Sequence, residues 1–177
     1  MKTGSDTTTY TYDGQDQLIK VQVSGLPGSV STYTFDGDGM RRTAQEGNVQ
    51  PTTMVWDGSD YLFLDGPSSD QLVLTLDGEI VASDSKDLLT DPLGMLVREI
   101  TAGATLSGQF DLYPYGRLVA GSPTPATPFV FVASAGYFRD NADRDYIRAR
   151  ELHKLIGRWM QTDPIWGMNL PPSRIHR

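Results

Sequence analysis

Chemistry in this chain has few side-chain types to draw on. The 177 residues include no cysteine and two histidines, His153 and His176. Disulfides, thiolate metal sites, iron–sulfur clusters and cysteine nucleophiles are therefore excluded. A histidine-rich metal centre or a Ser-His-Asp triad has almost no material. What remains is carboxylate and guanidinium, and these crowd into one stretch: Arg139, Asp140, Asp143, Arg144, Asp145, Arg148 and Arg150. Arg148 and Arg150 can neutralise the acids around them or line a solvated strand face, and pairing is the favoured reading. As a surface pair, Arg139 and Asp140 would contribute under about 1 kcal/mol. A calcium site at Asp143 and Asp145 would need more oxygen ligands than the stretch supplies. No metal or cofactor is expected. His153 and His176 read as exposed polar residues, and Trp56, Trp159 and Trp166 as packing residues.

The elements that position this stretch announce themselves by repetition. Four segments carry a β-prone run into Asp-Gly: TYTYDG ending at Gly14, TYTFDG at Gly37, MVWDG at Gly58 and VLTLDG at Gly78. Asp-Gly between such runs signals a hairpin, because glycine takes positive φ cheaply and aspartate tolerates it. A second β-prone run follows each turn, at 18–23, 40–45, 61–64 and 79–82. Each unit of about 20 residues thus reads as strand, turn, strand, and lone hairpins must pair edge to edge to be stable. Tyr10 and Tyr12 share one strand face, as do Tyr33 and Phe35, with threonines opposite. Ring packing within the sheet is the favoured reading of that stripe, and a glycan-stacking surface using Tyr10 and Tyr33 is the alternative.

Two further turns are signalled, by Asp91-Pro92-Leu93-Gly94 and by Tyr113-Pro114-Tyr115-Gly116. Residues 121–128, GSPTPATP, form a stiff proline-rich connector. The chain therefore divides into a hairpin array at 1–120, the connector at 121–128, a C-terminal unit at 129–167 and a divergent tail at 168–177. Within the C-terminal unit FVFVA reads as a buried strand, while IRARELHKLI suits a helix and a strand about equally.

The formal net charge of −7 argues against nucleic acid as a partner. No run of 18 apolar residues is present, so no membrane span is expected, and the polar N-terminus carries no signal-peptide core.

The YxYDGxxxL and YxFDGxGxR units resemble the YD repeats of RHS proteins. GYFRD, DYIRAR and GRWMQTDPI, in that order across about 128–167, are similar to the RHS repeat-associated core. The resemblance implies an all-β fold, with successive antiparallel hairpins forming part of a β-sheet shell and a core segment plugging one end. It tips 145–162 from helix to strand. It implies a structural or interaction module that encloses or presents a toxin or effector, partnered by the rest of the shell or by cargo. The setting would be bacterial, secreted or on the cell surface. It also implies a self-cleaving, aspartic-protease-like site, which transfers onto Arg139, Asp140 and Asp163. Two carboxyls held close keep one proton between them, so the charged one can activate water while its partner polarises the scissile carbonyl. An adjacent arginine would stabilise charge. No activity on an external substrate is expected.

Overall fold

The computed structural model describes residues 7–162 apart from residues 27, 68, 69 and 102. Ten strands run in chain order: β1 (Thr8–Tyr12), β2 (Leu18–Val23), β3 (Val30–Phe35), β4 (Arg41–Gln45), β5 (Thr52–Asp57), β6 (Asp60–Asp65), β7 (Asp70–Leu76), β8 (Glu79–Ser83), β9 (Lys86–Thr90) and β10 (Leu96–Thr101). Each pairs antiparallel with its predecessor, giving one ten-stranded meander. A second antiparallel meander follows, of β11 (Phe138–Arg139), β12 (Arg144–Ile147), β13 (Arg150–His153) and β14 (Arg158–Trp159). The fold is all-β, and the described residues hold a single 3₁₀ turn, at Ala133–Ala135. The ambiguous stretch at 147–156 holds no helix: Ile147 ends β12, Arg148 stands at positive φ in the turn, β13 follows, and the chain turns again from residue 154 towards β14.

The Asp-Gly turns divide into two kinds. At Asp77-Gly78 both residues have positive φ and Leu76 pairs with Glu79, a two-residue turn of the expected type. After β1 and β3 the loop is longer, and neither Gly14 nor Gly37 adopts positive φ. There the aspartate itself organises the chain: Asp13 Oδ1 accepts from the amides of Gln15 and Gln17, both at 2.9 Å. Asp36 does the same for Asp38 and Met40, and Asp91 for Leu93 and Met95. The left-handed position falls three residues after the aspartate, at Asp16, Gly39 and Gly94. Residues 113–117 close the same loop through backbone bonds, with Tyr113 where the others have aspartate.

The hairpins β1–β2, β3–β4, β5–β6, β7–β8 and β9–β10 each carry a bulge beside the turn, and the second strand holds the extra residue: Ile19, Arg42, Leu62, Val81 and Val97. A bulge breaks the two-residue alternation. Inward positions on those strands therefore lie three apart: Leu18 and Val21, Arg41 and Ala44, Tyr61 and Leu64, Ile80 and Ser83, all buried. The slot that takes leucine, tyrosine or isoleucine in the other hairpins takes arginine in β3–β4.

The C-terminal sheet packs on the same inner face. Phe129, Phe138 and Tyr146 join one core with Tyr33, Met54 and Tyr61, and the Tyr61 and Phe129 rings lie 5.1 Å apart. FVFVA is buried there as expected, but it is not a strand. Val132 has positive φ, and the chain turns into the 3₁₀ segment, leaving only the Phe129–Phe138 bridge. On the opposite face Leu72, Leu74 and Leu76 of β7 are exposed.

Candidate functional site

Arg41 is the centre of the inner face. Its slot is apolar in the other hairpins, so its guanidinium enters the core fully buried. Aromatic rings clamp the plane: its carbon lies 4.2 Å from the Tyr33 ring centroid, 3.7 Å from that of Tyr146 and 5.7 Å from that of Phe35. One Nη donates to both oxygens of Asp140, at 2.7 and 2.9 Å, and the other to Glu151. All three side chains are shut off from solvent. Asp140 follows β11, and Glu151 lies on β13 directly across from Tyr146. Three elements distant in sequence therefore meet on one cation.

Two carboxyls on a single guanidinium leave one negative charge too many for a dry core. Burial raises the Glu151 pKa to about 8, and the nearby Asp140 charge pushes the same way. Asp140 is raised too, chiefly by burial, against the pull of Arg41. Glu151 Oε2 has no hydrogen-bond partner among the described residues, as expected of a carboxyl that carries a proton of its own. The pair therefore holds one proton near neutral pH. Arg41 is held firmly charged: burial opposes its charge, but Asp140 and Glu151 outweigh that.

Two more buried charge groups flank the pair. Lys154 Nζ donates to Asp145 at 2.7 Å in an almost fully buried bridge; burial carries the Asp145 pKa up to about 7 and that of Lys154 down. Arg144 meets Glu46 at 3.1 Å and donates to the Tyr33 hydroxyl at 2.7 Å. That hydroxyl donates in turn to Glu46, which also accepts from Ser31 and Asn141.

The expected site residues separate. Asp140 joins the proton-sharing pair, while Arg139, its neighbour in sequence, does not contact it. Its guanidinium donates to the carbonyl of Pro125 at 3.4 Å and lines a cavity. Asp163 lies outside the described residues. Beside Asp140 the structure sets Glu151 as second carboxyl and Arg41 as cation. Neutralisation of the acidic cluster by Arg148 is corrected: Arg41 takes Asp140, Lys154 takes Asp145, and Arg148 makes a loose 3.8 Å pair with Asp60. Tyr33 faces inward under Arg41 and presents no free ring for a sugar, and Tyr10 is half-buried. His153 is half-buried, with Nδ1 unpartnered among the described residues, rather than exposed. Trp56 packs on Tyr61 at 3.9 Å and donates to the Arg41 carbonyl. Among the described residues no cluster of His, Asp and Glu could hold a metal, and no helix is long and apolar enough to cross a membrane. Asp140 also lines the cavity, while its carboxylate is held by Arg41 and shut off from solvent.

No family model and no curated protein matches the sequence. Solved structures do match in fold. A crystal structure of TcdB2-TccC3-TEV superposes with a TM-score of 0.65 at 15% identity, over 89% of this chain and 9% of that one. One of TcdB2-TccC3-Cdc42 gives 0.64 at 15% identity with the same coverage. A Photorhabdus luminescens Tc holotoxin pore carrying a mutated TccC3 gives 0.59 at 15% identity, again over 89% and 9%. At that identity the likeness concerns the fold, and this chain spans about a tenth of the proteins that share it.

Proposed function

We propose that this chain is the C-terminal part of an RHS-type β-shell: a structural and interaction module whose hairpin array, 1–120, forms wall and whose core segment, 129–167, plugs it. The observation carrying the reading is the uninterrupted ten-strand meander with a second sheet locked onto its inner face, in a fold shared with a small share of TcdB2-TccC3 chains. One edge supports it further. β1 ends the sheet without a partner among the described residues, whereas β10 is covered by backbone bonds from Ser107, Phe110 and Val130. An open strand edge is a place for another hairpin to add. One structure of similar fold is a Photorhabdus luminescens Tc holotoxin pore, which favours a toxin or effector as cargo and a secreted or surface setting in bacteria. Antibodies against the chain, used to isolate the native polypeptide for electron microscopy, test this. A hollow β-walled particle is the expected result; a solitary particle of the chain's own 19.5 kDa overturns it.

A second reading, that the module also cuts its own chain once, is favoured by the Asp140–Glu151 pair. The charged carboxyl would take a proton from water while the protonated one polarises the scissile carbonyl; the new carbon–oxygen bond then displaces an amine that leaves protonated. Arg139 and Asp163, the other residues implied by the RHS resemblance, are tested alongside. Intact masses of the parent, Asp140→Asn, Glu151→Gln, Asp163→Asn and Arg139→Gln chains decide. Loss of a C-terminal peptide in the parent, abolished by Asp140→Asn and Glu151→Gln, is expected. Abolition by Asp163→Asn with Glu151→Gln still cutting would return the second role to Asp163, and full-length mass in every sample sinks the reading.

A further inference from the structure

The cavity beside the buried pair has a volume of about 470 Å³, within the range of about 300–1,000 Å³ that suits small ligands. Its walls are of two kinds. Ala44, Leu64, Pro128 and Phe138 make an apolar side, and Arg139 with Gln50 brings polar groups. Glu46 and Asp140 also reach it, but neither is free: Glu46 is held by Arg144 and Asp140 by Arg41. The two acids that act on Arg139 from further away are occupied as well. Asp145 is paired with Lys154, and Glu99 accepts from the amides of Ala126 and Thr127 at 2.8 and 2.9 Å.

Arg139 is the exception in this crowded electrostatic region. Among the described residues its one partner is a carbonyl at 3.4 Å, and no carboxylate forms an ion pair with it. Burial disfavours its charge, yet five donors in a rigid fork remain almost unused. A half-buried guanidinium with one weak partner keeps most of its fork available, and an anion that enters the cavity can pair with it through charge-assisted bonds. Glu46 and Asp140, which also line the cavity, disfavour a doubly charged group such as phosphate more than a single charge. The apolar side asks for a hydrocarbon body attached to that charge, and the Gln50 amide can bond a peptide group. We propose that this cavity binds a peptide through a carboxylate carried on an apolar segment, with Arg139 as the anchor. This binding does not require the chain to cut itself.

Three fluorescein-labelled probes test it on the intact chain by anisotropy: Gly-Ala-Leu with a free C-terminus, Gly-Ala-Leu amide, and Gly-Leu-Glu amide. Binding of the free acid with loss on amidation assigns the site to a chain terminus. Binding of the glutamate probe assigns it to an acidic side chain. In either case Arg139→Gln weakens the bound probe about tenfold or more, the loss of a charge-assisted fork. Val49 is exposed and lines the mouth, so Val49→Trp obstructs entry without touching any charge; it also weakens binding while circular dichroism stays unchanged. Should Arg139→Gln fail to fold, Arg139→Lys and Val49→Trp decide. The proposal falls if acid and amide bind alike, if none of these variants alters affinity, or if no probe binds at about millimolar concentration. Glu151→Gln, which removes the acid–base couple, leaves probe affinity intact, so failure to cut and failure to bind are told apart.

Discussion

The hairpin array and the C-terminal sheet bury their surfaces by different means. In the array, order is local: an aspartate organises a loop, a bulge follows, and apolar residues three apart point inward. The same solution recurs along the chain, so each copy contributes modestly and is replaceable. The C-terminal sheet is joined to it through singular charges. Arg41 reaches Asp140 and Glu151 about a hundred residues away, and Arg144 reaches Glu46 back across the same seam. Repetition therefore stabilises the array, while a few singular ions fix how the C-terminal sheet joins it.

The comparison breaks or survives at Arg41. Arg41→Ala strands two carboxyls in a dry core with one shared proton, and removing one partner of a buried pair costs about 3–5 kcal/mol. Arg42, the next residue, is the exposed member of the bulge, and Arg42→Ala should stay within about 0.5 kcal/mol. Urea denaturation of both variants measures the contrast. A cost under about 1 kcal/mol for Arg41→Ala would mean that apolar packing alone holds the seam.

A smaller effect concerns pH. Folding raises the pKa values of Glu151, to about 8, and Asp145, to about 7, both chiefly through burial. A raised acid binds its proton more tightly folded than unfolded. Between roughly pH 4.5 and 8 the native chain thus carries more protons, and stability falls as pH rises. The parent should lose about 1–3 kcal/mol between pH 5 and 8, after discounting for relaxation of the buried groups. Glu151→Gln, which keeps the shape and cannot ionise, should flatten most of that slope, leaving the share of Asp145. A slope of the opposite sign would show both carboxyls ionised together on Arg41.

The array was legible because its code is local. Tyrosine, threonine and Asp-Gly at about 20-residue intervals mark strands and turns without reference to anything distant. The seam was not, and Arg41 shows why. The run at 40–45 reads as one more β-prone strand, and two-residue alternation cannot see a bulge that sets inward positions three apart. The signal that was available is positional. Five residues on from its turn aspartate, Arg41 shares a slot with Leu18 and Leu96, and a lone charge in an apolar slot requires a buried partner. Glu151 was harder still. It lies in a charged stretch as plausible outside as inside, and only its pairing across from Tyr146 carries it inward. Asp140 is singled out in sequence beside Arg139 and Asp163, whereas the cation that holds it, Arg41, comes from an element that no local pattern connects to it.

The finest test asks how much the turn aspartate matters where the rest of the loop is retained. Asp91 Oδ1 accepts two amides at 2.9 Å, so Asp91→Ala leaves both to water and should cost about 1 kcal/mol. Residues 113–117 supply the converse. Tyr113 donates its amide to the Arg117 carbonyl and accepts from Gly116, the same backbone closure as at Asp91, with Gly116 at positive φ. What that loop lacks is the side-chain acceptor. Tyr113 is exposed, so Tyr113→Asp removes little packing and introduces an oxygen where Tyr115 and Arg117 present their amides. A gain of about 0.5–1 kcal/mol is expected, read as a rise in the urea midpoint at unchanged slope. Such a gain would show that the aspartate acts through its two hydrogen bonds and can be transplanted. No change, with Asp91→Ala still costly, would tie its value to the paired strands that flank it at 86–101, which the looser 113–117 loop does not have.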